Sequence, residues 1–181
     1  MKVTPLPLSG LLLVQPAVHR DDRGFFLESW SRQKYLDAGI DCTFVQDNHS
    51  RSFERSLRGL HYQESPGQAK LVRVVTGRVF DVAVDMRPGS PTFGRWHGHY
   101  LDEEQHHQLF IPVGFAHGFC VVSGTADVLY RVSAPYSATA ERTIAWDDPD
   151  LAVAWPVPDP ILSARDRAGE SFSDFRRRIG A

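Results

Sequence analysis

The sequence predicts an all-β fold, an antiparallel sandwich or barrel, on three observations. Short apolar runs recur along the chain, separated by Gly and Pro corners. One such run, Arg78–Met86, has a clear period of two, the mark of a strand. Helical patterning is confined to two short stretches.

In chain order, Phe25–Trp30 (FFLESW) is the first predicted strand, followed by a helical piece over Gln33–Ala38. Leu57–Gln63 (LRGLHYQ) is the next strand. Lys70–Thr76 (KLVRVVT) and Arg78–Met86 (RVFDVAVDM) flank Gly77, which predicts a hairpin. In the second run Phe80, Val82 and Val84 alternate with Asp81, Ala83 and Asp85, so a half-buried strand is expected. Arg87-Pro88-Gly89-Ser90-Pro91 can only be a turn. Further strands are predicted at Arg95–Leu101, Gln108–Ile111, Phe119–Val122 and Val128–Val132. A second helix is expected over Ser173–Ile179, within a tail (170–181) that is short and helical or frayed.

A length of 181 residues suits one domain spanning 1–181. A net charge of −2 gives no electrostatic case for nucleic acid or an anionic membrane, so any phosphate must be held by locally placed cations. The apolar run Leu11-Leu12-Leu13-Val14 is far below the roughly 18 residues that span a bilayer, and no signal-cleavage pattern follows it. Cys42 and Cys120 read as two free thiols of a reducing cytoplasm.

Eight histidines raise the question of a metal. His97-Gly98-His99 would aim two rings at one face of a strand, with His106-His107 nearby. No glutamate or third ligand with motif context accompanies them, so these read as surface histidines, with His106 and His107 in a solvated loop and no metal expected. Three other segments concentrate unusual residues: FVQDNHS (Phe44–Ser50), LRGLHYQ (Leu57–Gln63) and PVGFAHGF (Pro112–Phe119). Buried polar groups cost free energy unless paired, and a pocket lined by all three segments accounts for them together. Strict alternation puts Arg58 and His61 on opposite faces of their strand. Both reach one pocket only if Gly59 kinks or bulges it.

These blocks, with KLVRV (Lys70–Val74), VFDVAVDMRPGSPTFG (Val79–Gly94), IPVGFAHGF (Ile111–Phe119), WDDPDL (Trp146–Leu151) and Leu162-Ser163-Ala164-Arg165-Asp166, resemble the dTDP-4-dehydrorhamnose 3,5-epimerase family from about Gly10 to Gly169. Arg55-Ser56 departs from that pattern, where a Gly-Val pair is usual, and Arg165 replaces a commoner lysine. The resemblance implies a cupin-like jelly roll, a cytoplasmic homodimer, no cofactor, and a dTDP-4-keto-6-deoxyhexose substrate epimerised at carbons 3 and 5. A single-carbon epimerase, a keto-isomerase and a non-catalytic sugar-nucleotide-binding cupin are the alternatives. By the same resemblance His61 is the base, Tyr130 the acid, Asp166 the group that orients His61, and Lys70 the cation that stabilises the enolate. Arg23, Arg58 and Arg165 correspond to diphosphate and nucleotide contacts. Glu28, Gln46, Asp47, Asn48, His117, Tyr136 and Glu141 correspond to other substrate contacts, and Phe25 or Phe26 to a surface for thymine stacking.

Overall fold

The structure, a computed structural model, describes residues 1–181. Its strands are β1 (Lys2–Pro5), β2 (Leu12–Gln15), β3 (Val18–Asp21), β4 (Gly24–Leu27), β5 (Gln46–Phe53), β6 (Leu57–Gln63), β7 (Lys70–Thr76), β8 (Arg78–Asp85), β9 (Trp96–Asp102), β10 (Gln108–Ile111), β11 (Phe115–Val121), β12 (Thr125–Val132) and β13 (Glu141–Thr143). The helices are α1 (Arg32–Asp37), α2 (Ala164–Arg167) and α3 (Phe172–Ile179). One sheet has the order β1-β2-β10-β7-β12-β5 and the other β13-β6-β11-β8-β9, while β3 and β4 form a separate hairpin. Every strand pairing is antiparallel. The all-β, cupin-like jelly-roll class expected from the sequence is the one observed.

Apolar residues sort the molecule into three layers. Between the sheets, Val72, Val74, Leu109, Ile111 and Val128 of one sheet meet Val79, Leu101, Phe115, Phe119 and Val121 of the other. The outer face of the five-stranded sheet packs Leu60, Tyr62, Val82, Val84 and Ala116 against Ile144, Leu151, Phe172 and Phe175. The outer face of the six-stranded sheet buries Val14 and Leu71 under Tyr35 and Ile40, which α1 and its exit loop supply. α3 is capped at both ends: Ser171 accepts from Asp174 N, and Gly180 closes it at φ 71°.

Several local expectations need correction. β7 and β8 do not form a hairpin; Gly77, at φ 73°, carries the chain from one sheet to the other. A Cβ there would sit 2.0 Å from Thr125 O, so only glycine makes that corner. β8 is buried on both faces rather than one, with Asp81 and Asp85 fully inaccessible. The C-terminal segment roofs its outer face while the six-stranded sheet covers its inner one. Asp85 is satisfied by Arg87, Ser90 and Thr92, and burial is offset there so well that its carboxyl is pushed down to about 2. The strand expected over Phe25–Trp30 stops at Leu27, because Ser29 O accepts from Tyr35 and Gln108 side chains instead of a ladder partner. His106 is not solvated: it is 8% exposed and its ring lies 4.3 Å from that of Phe25. The tail is an ordered helix. Arg55 adopts φ 65°, the left-handed conformation that suits the glycine usual at this point in the family pattern. Its carbonyl accepts from Ile161 N and its guanidinium bonds Asp159 O, tying the β5–β6 turn to the segment before α2.

Candidate active site

β6 supplies the centre of the site. Its pairing with β11 matches His117 to His61 and Phe119 to Arg58, so the register shifts between them. Gly59 takes φ 129° at that point, which lets Arg58 and His61 line one cavity as the alternation argument required. The cavity has a volume of about 550 Å³, enough for a nucleotide-sized ligand.

One wall comes from the five-stranded sheet. His61 Nε2 lies 2.6 Å from Asp166 Oδ1, and with the carboxylate ionised the ring N–H donates. Nδ1 then carries the lone pair. The carboxyl of Asp166 sits below the usual range: burial raises it, but bonds from His61, Ser163 and the Gly59 backbone outweigh that. Beside them His117 Nε2 donates to both oxygens of the fully buried Asp81, at 3.0 and 2.9 Å. Burial holds the His117 imidazole below its ordinary pKa, with Asp81 opposing.

The facing wall is β5, β7 and β12 of the six-stranded sheet. Gln46, Asn48 and Ser50 are alternate residues of β5 and so share a face. Tyr130 of β12 also lines the cavity, and burial raises its phenol pKa, keeping it protonated. Lys70 is 7% exposed, and burial pulls its ammonium down to about 8, against the pull of Glu141 and Asp81. Its Nζ donates to His61 O at 3.3 Å and has no carboxylate within ion-pair distance. Arg165 pairs with Glu141 at 2.6 Å, whereas Arg58 is held only by Ser52 Oγ and Arg51 O. That leaves the Arg58 guanidinium without an acid partner at the cavity rim.

Of the residues expected at the site, His61, Tyr130, Asp166, Lys70, Gln46, Asn48, Arg58, His117, Tyr136, Glu141 and Arg165 line this one cavity. Arg23, Phe25, Phe26, Glu28 and Asp47 do not. Arg23 pairs with Asp21, Glu28 with Lys34, and Asp47 with Arg131. Phe25 and Phe26 stand 55% and 70% exposed on the β3–β4 hairpin, apart from both main sheets. Within one chain the exposed aromatic at the cavity is instead Tyr136. Sequence reasoning missed Asp81, Ser163, Ser50 and Gln68. Asp81 was legible as a carboxylate flanked by apolar residues in a strand, and Ser163 as a serine three residues before an acid, a helix-capping spacing.

A wall carrying an ordered imidazole, facing a wall carrying a phenol and an unpaired ammonium, suits proton transfer to and from opposite sides of a bound ring. Comparison with known proteins agrees in kind. Residues 5–174 match the family described as dTDP-4-dehydrorhamnose 3,5-epimerase. The chain is 51% identical to dTDP-4-dehydrorhamnose 3,5-epimerase of Pseudomonas aeruginosa, over 96% of this chain and 97% of that protein. It is 49% identical to the Shigella flexneri protein of the same name, with the same coverage of each. A solved structure of dTDP-6-deoxy-D-glucose-3,5-epimerase from Legionella pneumophila, in complex with dTDP-4-keto-L-rhamnose, superposes with a TM-score of 0.92 at 45% identity, covering 95% of this chain and 93% of that one.

Proposed function

The chain belongs to the dTDP-4-dehydrorhamnose 3,5-epimerase family, and from that premise we propose that it inverts carbons 3 and 5 of dTDP-4-dehydro-6-deoxy-D-glucose, in the making of dTDP-L-rhamnose. Both carbons neighbour the carbon 4 ketone, so removing either proton gives an enolate. Inversion then needs a base on one face of the ring and an acid on the other. The observation that carries this reading is the placement of His61 and Tyr130 on opposite walls of one cavity.

His61 removes the proton, with Asp166 holding its tautomer and stabilising the imidazolium. Tyr130 delivers a proton from the far side, a role suited to a phenol kept protonated by burial. Lys70, still largely charged at neutral pH, steadies the enolate oxygen, so the step requires neither a redox cofactor nor a metal. Arg58 and Arg165 meet the diphosphate, and Gln46, Asn48, His117 and Glu141 complete the sugar-nucleotide contacts. Tyr136 offers a ring to the base or sugar.

The enzyme works as a homodimer in the cytoplasm. A lone two-stranded hairpin with two exposed phenylalanines is a marginal structure in water. A second copy covers it and receives Arg23, Glu28 and the Phe25–Phe26 pair at its cavity. A monomer mass by light scattering, with full activity at nanomolar enzyme, would refute this. No helix is long and apolar enough to cross a membrane.

Proton NMR of the reaction with dTDP-4-keto-6-deoxyglucose in deuterated water tests the activity. Deuterium should appear at carbons 3 and 5 with both centres inverted. Exchange and inversion at one carbon alone would make the protein a single-carbon epimerase.

A further inference from the structure

The carboxylate facing His61 is held by a second side chain that the proposed chemistry leaves without a part. Asp166 is 4% exposed and commits Oδ1 to His61. Its Oδ2 accepts from Ser163 Oγ at 2.7 Å, and its backbone N donates back to the same hydroxyl at 3.1 Å. Ser163 lines the cavity, yet its single proton is already committed to Asp166, so it has none to give a substrate. We propose that Ser163 is a positioning residue for proton abstraction: it fixes the carboxylate plane of Asp166 and, through it, the ring of His61. The inference rests on His61 being the base.

The torsion that turns an aspartate carboxylate is broad and soft. With the serine bond gone, His61 and the Gly59 backbone alone hold the carboxylate, and its acceptor can swing away from the imidazole. A bond at the other oxygen, from a serine one helical turn back, blocks that swing. The same O–H draws negative charge off the carboxylate, which tempers the grip of Oδ1 on the His61 N–H. Without Ser163 the more basic carboxylate favours the imidazolium, and less of the enzyme holds a free base at a given pH. The loss therefore has two marks: slower turnover at saturation, and an acid limb of the kcat profile displaced to higher pH. Substrate binding is spared, since no substrate bond is removed.

The test compares Ser163→Ala, Ser163→Gly and Ser163→Thr, alone and with Asp166→Asn. Glycine is tolerated as a helix cap, so Ser163→Gly removes the hydroxyl while sparing α2. Ser163→Ala and Ser163→Gly should each lower kcat about tenfold, the low end for groups that orient a functional histidine. Affinity for dTDP by calorimetry should stay within about twofold of wild type. The acid limb should move to higher pH, and Ser163→Thr should restore both rate and profile. In the Asp166→Asn background Ser163→Ala should cost nothing further, because the two act as one unit. Wild-type kcat and profile in Ser163→Gly would overturn the proposal, as would an undiminished loss from Ser163→Ala in the Asp166→Asn background. If His61→Ala itself turns over normally, the assignment of the base has failed, whatever Ser163 does.

Discussion

Two histidine–aspartate pairs stand side by side on one sheet face, and they differ chiefly in their access to water. The His61 side chain is 24% exposed and its Asp166 partner 5%, while His117 and Asp81 are 8% and 0%. Asp166 keeps Ser163 as a second partner, whereas Asp81 has no side-chain donor other than His117. On the proposed mechanism the first pair loses and regains a proton in contact with a ligand. The second is the more deeply buried of the two, and burial lowers the pKa of its imidazole where it lines the cavity. Identical chemical groups thus come to differ in access to water through burial and bonding alone, and the proposed mechanism assigns proton abstraction to the more exposed pair.

Substituting each histidine in turn is the sharpest way to break this contrast. His61→Ala should abolish deuterium uptake as well as inversion, a loss of at least about a thousandfold, since no enolate forms. Its stability should change little, because Asp166 retains Ser163. His117→Ala should instead destabilise the fold, leaving a buried carboxylate unpaired at about 3 kcal/mol of unfolding free energy, read by urea denaturation. Comparable stability losses in the two variants would erase the distinction.

The next largest effect separates the proposed base from the proposed acid across the cavity. Tyr130→Phe should lose inversion while His61 still removes a proton and returns one to the same face. NMR should then find deuterium at carbon 5 with the original configuration. Inversion of both centres at the wild-type rate would remove Tyr130 from the mechanism.

The smallest effect is on stability against pH. Burial lowers the pKa of His117 and also of His97, His99, His106 and His107, below an unfolded value near 6.5. Below that value the unfolded chain binds the extra protons, so stability is full above about pH 6.5 and drains as pH falls toward the depressed folded values. Denaturant midpoints measured from pH 7.5 to 5 should fall, and His99→Gln should flatten the slope. A flat profile in the wild type would show that these rings titrate freely in the folded state.

The sequence was legible where apolar pattern and structure coincide. β6, β7 and β10 fall where their runs of apolar and β-branched residues end at turns. β5 carried no such signal, because Gln46, Asn48 and Ser50 face the cavity while Asp47, His49 and Arg51 alternate with them on the other side. Its eight residues are strand because they pair along their whole length with β12. Alternation in β8 revealed two faces, but not that a later helix would bury the outer one. The bulge at Gly59 followed from strict alternation once Arg58 and His61 were placed in one pocket. The parts that the resemblance gives Arg23, Phe25, Phe26 and Glu28 have no counterpart in the cavity for a different reason: a single chain does not contain the surface they are proposed to complete.

Where β6 bulges, two backbones touch with nothing between them. A Cβ at Gly59 would stand 2.5 Å from Gly118 Cα, and one at Gly118 would stand 2.7 Å from Arg58 O. The spacing of the two imidazoles is therefore set by main-chain contact, which has no rotamers to vary, rather than by packed side chains. A methyl group at either glycine would act as a wedge, prising β6 from β11 and moving the base relative to the floor beneath it. The two atoms that matter most to this site's precision are in that sense hydrogens, one on each glycine.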